Sequence, residues 1–157
     1  MSYQFINLFY LNKMDFKTTL EWGKDIERAF VSKMVLKCKD IEHIDFAPNQ
    51  QFKDWDVKLI WNWKEKTYEI KRDFKSQDTN NIALEVRCNN KPSGLYASKA
   101  DFIVYCLDND EFYYQNRWEL LYRLDYMEKP LVKWWDGDRA EMYLVSKEEL
   151  PLLFNKL

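Results

Sequence analysis

The sequence predicts a single domain of mixed α/β or α+β class, built around a central sheet. Three observations predict it. An amphipathic helix comes first, a series of strand-like runs follows, and 46% apolar residues with 17% aromatics can fill one core in a chain of 157 residues. With 3 glycines and 4 prolines, the composition argues against long flexible linkers. No repeat or low-complexity tract interrupts the pattern.

Residues 3–11, apolar and aromatic, read as a short strand or a docking segment. The helix is predicted over 17–37, where Ile26, Phe30 and Met34 repeat at helical spacing and Ala29 fills the same face. Residues 38–53, with Pro48, Asn49 and Gln50, read as a polar loop. Strands are predicted at 55–63, 66–72 and 81–87, the first two joined by Lys64-Glu65, a hairpin-length connection. Trp55, Val57, Leu59, Trp61 and Trp63 alternate along the first of these and form a core face. Lys91-Pro92-Ser93-Gly94 is a turn, followed by a short helical stretch at 95–100 and a strand at 101–107. A strand at 111–115 leads into a helix at 117–128 with Trp118, Leu121 and Leu124 on one side. A strand at 141–146 and a helix at 147–156 close the chain. The adjacent Trp134 and Trp135 cannot both face one core from an extended segment, so one of them is a candidate to stack on a base or to meet a second subunit.

Net charge is −2, but its distribution is uneven. Residues 53–99 hold ten Lys/Arg against seven Asp/Glu, and residues 100–157 hold seven against twelve. The middle of the chain is therefore the part suited to a polyanion. No apolar run approaches membrane-spanning length, and the opening residues lack the basic flank and cleavage site of a signal peptide. A cytoplasmic protein is expected, in the host cytoplasm if phage- or virus-encoded. Cys38, Cys88 and Cys106 are widely spaced and read as reduced thiols, not zinc ligands.

Chemistry concentrates in the middle segment. In a strand over 66–72, Glu69 and Lys71 project from one face. Asp56, thirteen residues before Glu69, belongs to the neighbouring strand. Hard divalent cations take oxygen ligands, so Asp56 and Glu69, with the Ile70 carbonyl, can hold Mg²⁺ or Mn²⁺. Lys71 can then orient or deprotonate an attacking water, or neutralise charge on a phosphorane. Equally, Glu and Lys on a hairpin can be a solvated cross-strand pair. Glu27 borders the apolar stripe of the first helix, with Phe30 and Val31 as its i+3 and i+4 neighbours. It points either to the candidate metal or into a boundary salt bridge, for instance with Lys24. Lys99, Arg72 and Lys58 are the candidate nucleic-acid contacts. Glu85 could join through a water, Asp54 shares the strand face of Asp56, and Asp101 reads as a turn or cap residue. His43, the one histidine, sits among acidic neighbours in a loop, which excludes any mechanism needing a histidine pair.

Gly23-Lys24-Asp25-Ile26-Glu27-Arg28 resembles the opening motif of archaeal Holliday-junction resolvases, and the gaps of 29 residues from Glu27 to Asp56 and 13 from Asp56 to Glu69 are similar to theirs. The order helix with Glu, strand with Asp, strand with Glu-x-Lys, then strand, helix and strand resembles the PD-(D/E)xK nuclease superfamily. Asn80-Asn81-Ile82-Ala83-Leu84-Glu85-Val86, with Pro92-Ser93-Gly94 and Ser98-Lys99-Ala100-Asp101, is similar to phage-type members. The chain departs from the motif at Trp55, where proline usually precedes the aspartate. The resemblance covers about residues 17–107. It implies an α/β restriction-endonuclease-like core, a central mixed sheet flanked by helices. It also implies Mg²⁺- or Mn²⁺-dependent cleavage of DNA, with Asp56, Glu69 and Glu27 at the metal and Lys71 catalytic. Branched or Holliday-junction DNA is the expected substrate and a homodimer the expected state, because cutting both strands needs two sites. The rival expectation is a nuclease fold that only binds nucleic acid or a protein partner.

Overall fold

A computed structural model describes residues 22–49, 52, 54–73, 76–107, 111–133 and 139–157. The strand expected at 3–11, the first part of the first helix and the Trp134-Trp135 pair lie outside them. Helix α1 spans Trp22–Lys37 and is followed by β1 (Ile41–Phe46), β2 (Val57–Trp61) and β3 (Lys64–Arg72). A crossover then carries α2 (Ser76–Thr79), β4 (Asn81–Cys88), β5 (Lys91–Pro92) and α3 (Gly94–Ala97). Next come β6 (Phe102–Cys106), β7 (Phe112–Asn116), α4 (Arg117–Tyr126), β8 (Leu131–Lys133), β9 (Ala140–Ser146), α5 (Leu150–Leu153) and β10 (Asn155–Lys156).

The central sheet has six strands in the order β1-β2-β3-β6-β7-β10. It is mixed: β3 and β6 run parallel and the other neighbours antiparallel. A smaller sheet in the order β5-β4-β9-β8 forms from the crossover and the later strands. On one face of the central sheet, Val57, Leu59, Tyr68, Ile70, Val104 and Phe112 pack against Ile26, Phe30 and Val31 of α1. On the other, Ile103 and Tyr105 pack against Ile82, Leu84 and Val86 of the small sheet and Leu120 and Leu124 of α4. β6 is thus apolar on both faces, as a parallel-paired central strand requires. Among the described residues no helix is long and apolar enough to cross a membrane. Cys38, Cys88 and Cys106 are all free thiols.

Several expected boundaries shift, each for a local reason. The expected polar loop at 38–53 contains β1. A bulge between Ile41 and His43 breaks its alternation, which hides it from a period-two reading. The β2–β3 turn is Asn62-Trp63, not Lys64-Glu65: both residues have positive φ, 49° and 61°, and Trp61 pairs directly with Lys64. That is the conformation that lets a two-residue loop follow the twist of its strands. Trp63, expected in the core, is 91% exposed at the tip. In α4 the buried residues are Leu120 and Leu124, not Trp118, and the Asn116 side-chain oxygen caps its first turn by accepting from Trp118 and Glu119 N–H. The expected helix at 147–156 is cut to one turn at Leu150–Leu153. The chain then extends as β10 along the open edge of β7, where the Leu157 N–H bonds the Phe112 carbonyl at 2.8 Å.

Candidate active site

Strand alternation in β3 sends Tyr68 and Ile70 into the core under α1 and Glu69 and Lys71 to the opposite face. There they meet an open cavity of about 480 Å³ between the central sheet and the crossover, whose lining includes Asp73, Glu85, Gly94 and Tyr105. The Lys71 Nζ lies 2.5 Å from Glu69 Oε1, with the lysine half-exposed and the glutamate largely buried.

Asp56 stands one residue before β2. Its N–H donates to the Tyr68 carbonyl at 2.8 Å, and its carboxylate Oδ2 accepts the Ile70 N–H at 2.6 Å. The regular β2–β3 pairing ends at Val57 and Tyr68; Asp56 stands just past it, tied to β3 by these two bonds, and does not itself line the cavity that Glu69 and Lys71 face. Asp56 is therefore fastened where β2 begins, against the stretch of β3 that runs on past it. Burial raises its pKa. The Ile70 N–H opposes that shift, Glu69 adds to it and Lys71 again opposes it. Glu27, on the inner side of α1, is pushed up to about 7, first by burial and then by the Asp56 charge, against the pull of Lys24 and Arg28. Asp56 thus links the two groups: it feels Glu69 and Lys71 and itself bears on Glu27.

The other sequence candidates separate. Arg72 lines the cavity. Lys99 pairs with Asp54 at 2.9 Å, which also engages the alternative aspartate elsewhere. Lys58 forms ion pairs with Asp45 at 3.1 Å and Glu65 at 3.7 Å, with its Nζ 5.3 Å from the Trp55 ring centre. Neither Lys58 nor Lys99 lines the cavity. His43 pairs with Asp45 at 2.7 Å. Asp101 ties β3 to β6: its Oδ2 accepts both the N–H and the hydroxyl of Thr67 at 2.9 Å, and its own N–H donates to that hydroxyl at 3.0 Å.

Glu85 does face the cavity, with Ser93 Oγ donating to its Oε1 at 2.6 Å. Gly94 follows with φ of +46°, and a Cβ there would stand 2.3 Å from the Glu85 carbonyl oxygen, so only glycine brings α3 this close to β4. Sequence reasoning missed two polar lining residues. Asp73 continues the 69, 71, 73 alternation past the end of β3, and its two oxygens accept the N–H groups of Ser76 and Ala83, each at 3.1 Å. Tyr105 pairs with Lys71 across the parallel register and donates its hydroxyl to the Ala83 carbonyl at 3.1 Å. Burial holds that phenol protonated far above its usual range, with Asp73, Glu69 and Glu85 adding to the shift.

Among the described residues no three His, Cys, Asp or Glu side chains converge to enclose a metal ion. Mg²⁺ asks for less: one or two carboxylates, with the remaining positions left to waters and substrate phosphate. Asp56 and Glu69 offer hard carboxylate oxygens of the kind such an ion takes.

No family model matches the chain, and no curated protein matches it. Among solved structures it is similar to the bacterial homing endonuclease I-Ssp6803I, with a TM-score of 0.51 and 14% identity over 85% of this chain and 82% of that one. It is also similar to D212, a nuclease from a fusselovirus, with a TM-score of 0.47 and 14% identity over 92% and 91%. At that identity the likeness to I-Ssp6803I is one of fold. The mixed six-stranded sheet with its helices is a nuclease-like α/β fold.

Proposed function

We propose that the chain is a metal-dependent DNA endonuclease of the PD-(D/E)xK type. The observation that carries this reading is Glu69 and Lys71 side by side on one open face, with the Asp56 carboxylate bonded to the N–H of Ile70 between them. The homing endonuclease of similar fold supports it. Mg²⁺ or Mn²⁺, held by Asp56 and Glu69 with Glu27 and the Ile70 carbonyl in support, would supply Lewis-acid charge at the scissile phosphate. Lys71, an ammonium paired with Glu69, orients the attacking water, whose proton passes to bulk solvent, and its charge stabilises the phosphorane as the bond to the leaving oxygen breaks. Glu69 holds the lysine in place. Arg72, at the same cavity, attracts the backbone, and Lys58 and Lys99 would contact DNA only after leaving their carboxylate partners. Branched or Holliday-junction DNA is the leading substrate and a homodimer the working form, both on the resemblance of the α1 motif.

The test is a cleavage assay with Mg²⁺ or Mn²⁺ on linear, nicked, flapped and four-way DNA. Wild type should cut at least one of these. Lys71→Ala should lose about 10²–10³-fold in rate, the usual worth of one donor aimed at developing charge, while binding DNA almost as well. Cleavage by Lys71→Ala at the wild-type rate, or none by wild type on any substrate, would end this reading.

A further inference from the structure

The outer face of α4 carries three aromatic rings in a row. Trp118, Tyr122 and Tyr126 stand four residues apart and are 68%, 66% and 78% exposed. That spacing keeps them on one side of the helix, away from the buried Leu120 and Leu124. The Tyr122 and Tyr126 rings stack at 6.4 Å, and the Arg117 guanidinium lies 4.1 Å from the centre of the Trp118 ring. Leu152 of α5, also exposed, extends the patch. Its carbonyl accepts from Arg123 Nη1 at 3.0 Å. The water-facing side of a surface helix is normally polar, and a contiguous apolar patch of this kind marks an interface. No α4 residue lines the candidate active site, so covering this row would leave the cavity open.

We propose that the row is a two-fold interface with a second copy of this chain. Three features select that occupant. The spacing reads the same in both directions. An antiparallel crossing of α4 with its copy therefore sets Trp118 against Tyr126 of the second copy and Tyr122 against its own equivalent, as an isologous contact requires. The flanking charges are also self-complementary. Glu119 and Arg123, which pair within the helix at 2.9 Å, share one flank of the row. Antiparallel helices set like flanks together, so each Glu119 faces the other copy's Arg123. This rim of both signs, Arg117, Glu119, Arg123 and Asp125, offers a polyanion no net attraction, which disfavours a nucleic-acid strand as the occupant. The area is also adequate. At ~150–250 Å² per aromatic side chain, the exposed rings and Leu152 supply more than half of the ~800 Å² per partner that a standard interface buries. The interface rests on the homodimer of the proposed function and gives it a surface; a monomer would remove that dimer, while metal-dependent cleavage is decided separately by the DNA panel.

Sedimentation equilibrium of the full chain, without DNA or metal, from nanomolar to high micromolar concentration, tests it. Wild type should show a monomer–dimer equilibrium. Tyr122→Arg, which opposes two cations on the axis, should weaken it by about tenfold or more, as loss of a central aromatic anchor does. Glu119→Arg should weaken it too, and adding Arg123→Glu should restore it by rebuilding the complementary flank. All these positions are on the surface, and circular dichroism should report wild-type helix content. A wild type that stays monomeric throughout would overturn the proposal. So would a dimer that Tyr122→Arg leaves equally tight, or a mass that grows only when DNA is added.

Discussion

Replacing Glu27 with glutamine isolates the electrostatics of the carboxylate cluster from its chemistry. In the fold the Glu27 pKa rises from 4.5 to about 7, because burial and the neighbouring Asp56 charge both disfavour ionisation. A raised carboxylate binds its proton more tightly folded than unfolded. Its contribution to stability is complete below the unfolded value and is lost as pH rises through the folded one. The full shift corresponds to about 3 kcal/mol at ~1.4 kcal/mol per unit. Glu27 is only partly buried, so solvent screening reduces this to about 1 kcal/mol. Glutamine is neutral at every pH and nearly as good a helix former. Glu27→Gln should therefore melt about 2–4 °C above wild type near pH 8 in EDTA, the range expected for ~1 kcal/mol in a domain of this size. Near pH 4, where wild-type Glu27 is protonated in both states, the two should melt together. A divalent cation reverses the balance. Mg²⁺ or Mn²⁺ binding the cluster should raise the wild-type melting temperature more than that of Glu27→Gln. Paired thermal melts at both pH values, with and without metal, measure all of this. If the variant gained nothing at high pH, or gained equally at both, Glu27 would not belong to a self-repelling carboxylate cluster.

Other substitutions probe the frame around the site. Asp56→Asn should abolish metal-induced thermal stabilisation as well as cleavage; an undiminished Mg²⁺ shift in its melt would remove Asp56 from the metal site. Gly94→Ala places a methyl 2.3 Å from the Glu85 carbonyl at a φ of +46°. The left-handed backbone alone costs ~1–2 kcal/mol, so the urea midpoint should fall clearly, and a wild-type midpoint would show that α3 does not hold Glu85 by close approach. Asp101→Ala strips the Thr67 N–H and hydroxyl of their acceptor, and Thr67 is buried. A loss of ~1–3 kcal/mol in chemical unfolding is expected, with Asp101→Asn losing less because it keeps an acceptor oxygen.

Periodicity alone made a good deal of this legible. The stripe Ile26, Phe30, Met34 gave α1 its buried face, and the period of two put Glu69 and Lys71 on one side of β3. These depend on spacing along one element, and a helix or strand turns spacing into direction without help from the rest of the chain. β1 escaped because a bulge breaks that relation. Trp63 and Trp118 escaped because a large aromatic side chain looks the same in sequence whether a turn or an outer helix face leaves it in water. What tertiary structure decided was adjacency. β3 lies beside β6, not β4, after a crossover that builds a second sheet. Only that arrangement brings Asp73, Glu85 and Tyr105 to the cavity of Glu69 and Lys71. The fastening of Asp56 to the Ile70 N–H and the pressure of Asp56 on Glu27 are likewise products of packing. Strand order follows from how apolar faces are buried together across distant parts of the chain, a sum over the whole core that no local pattern of residues encodes.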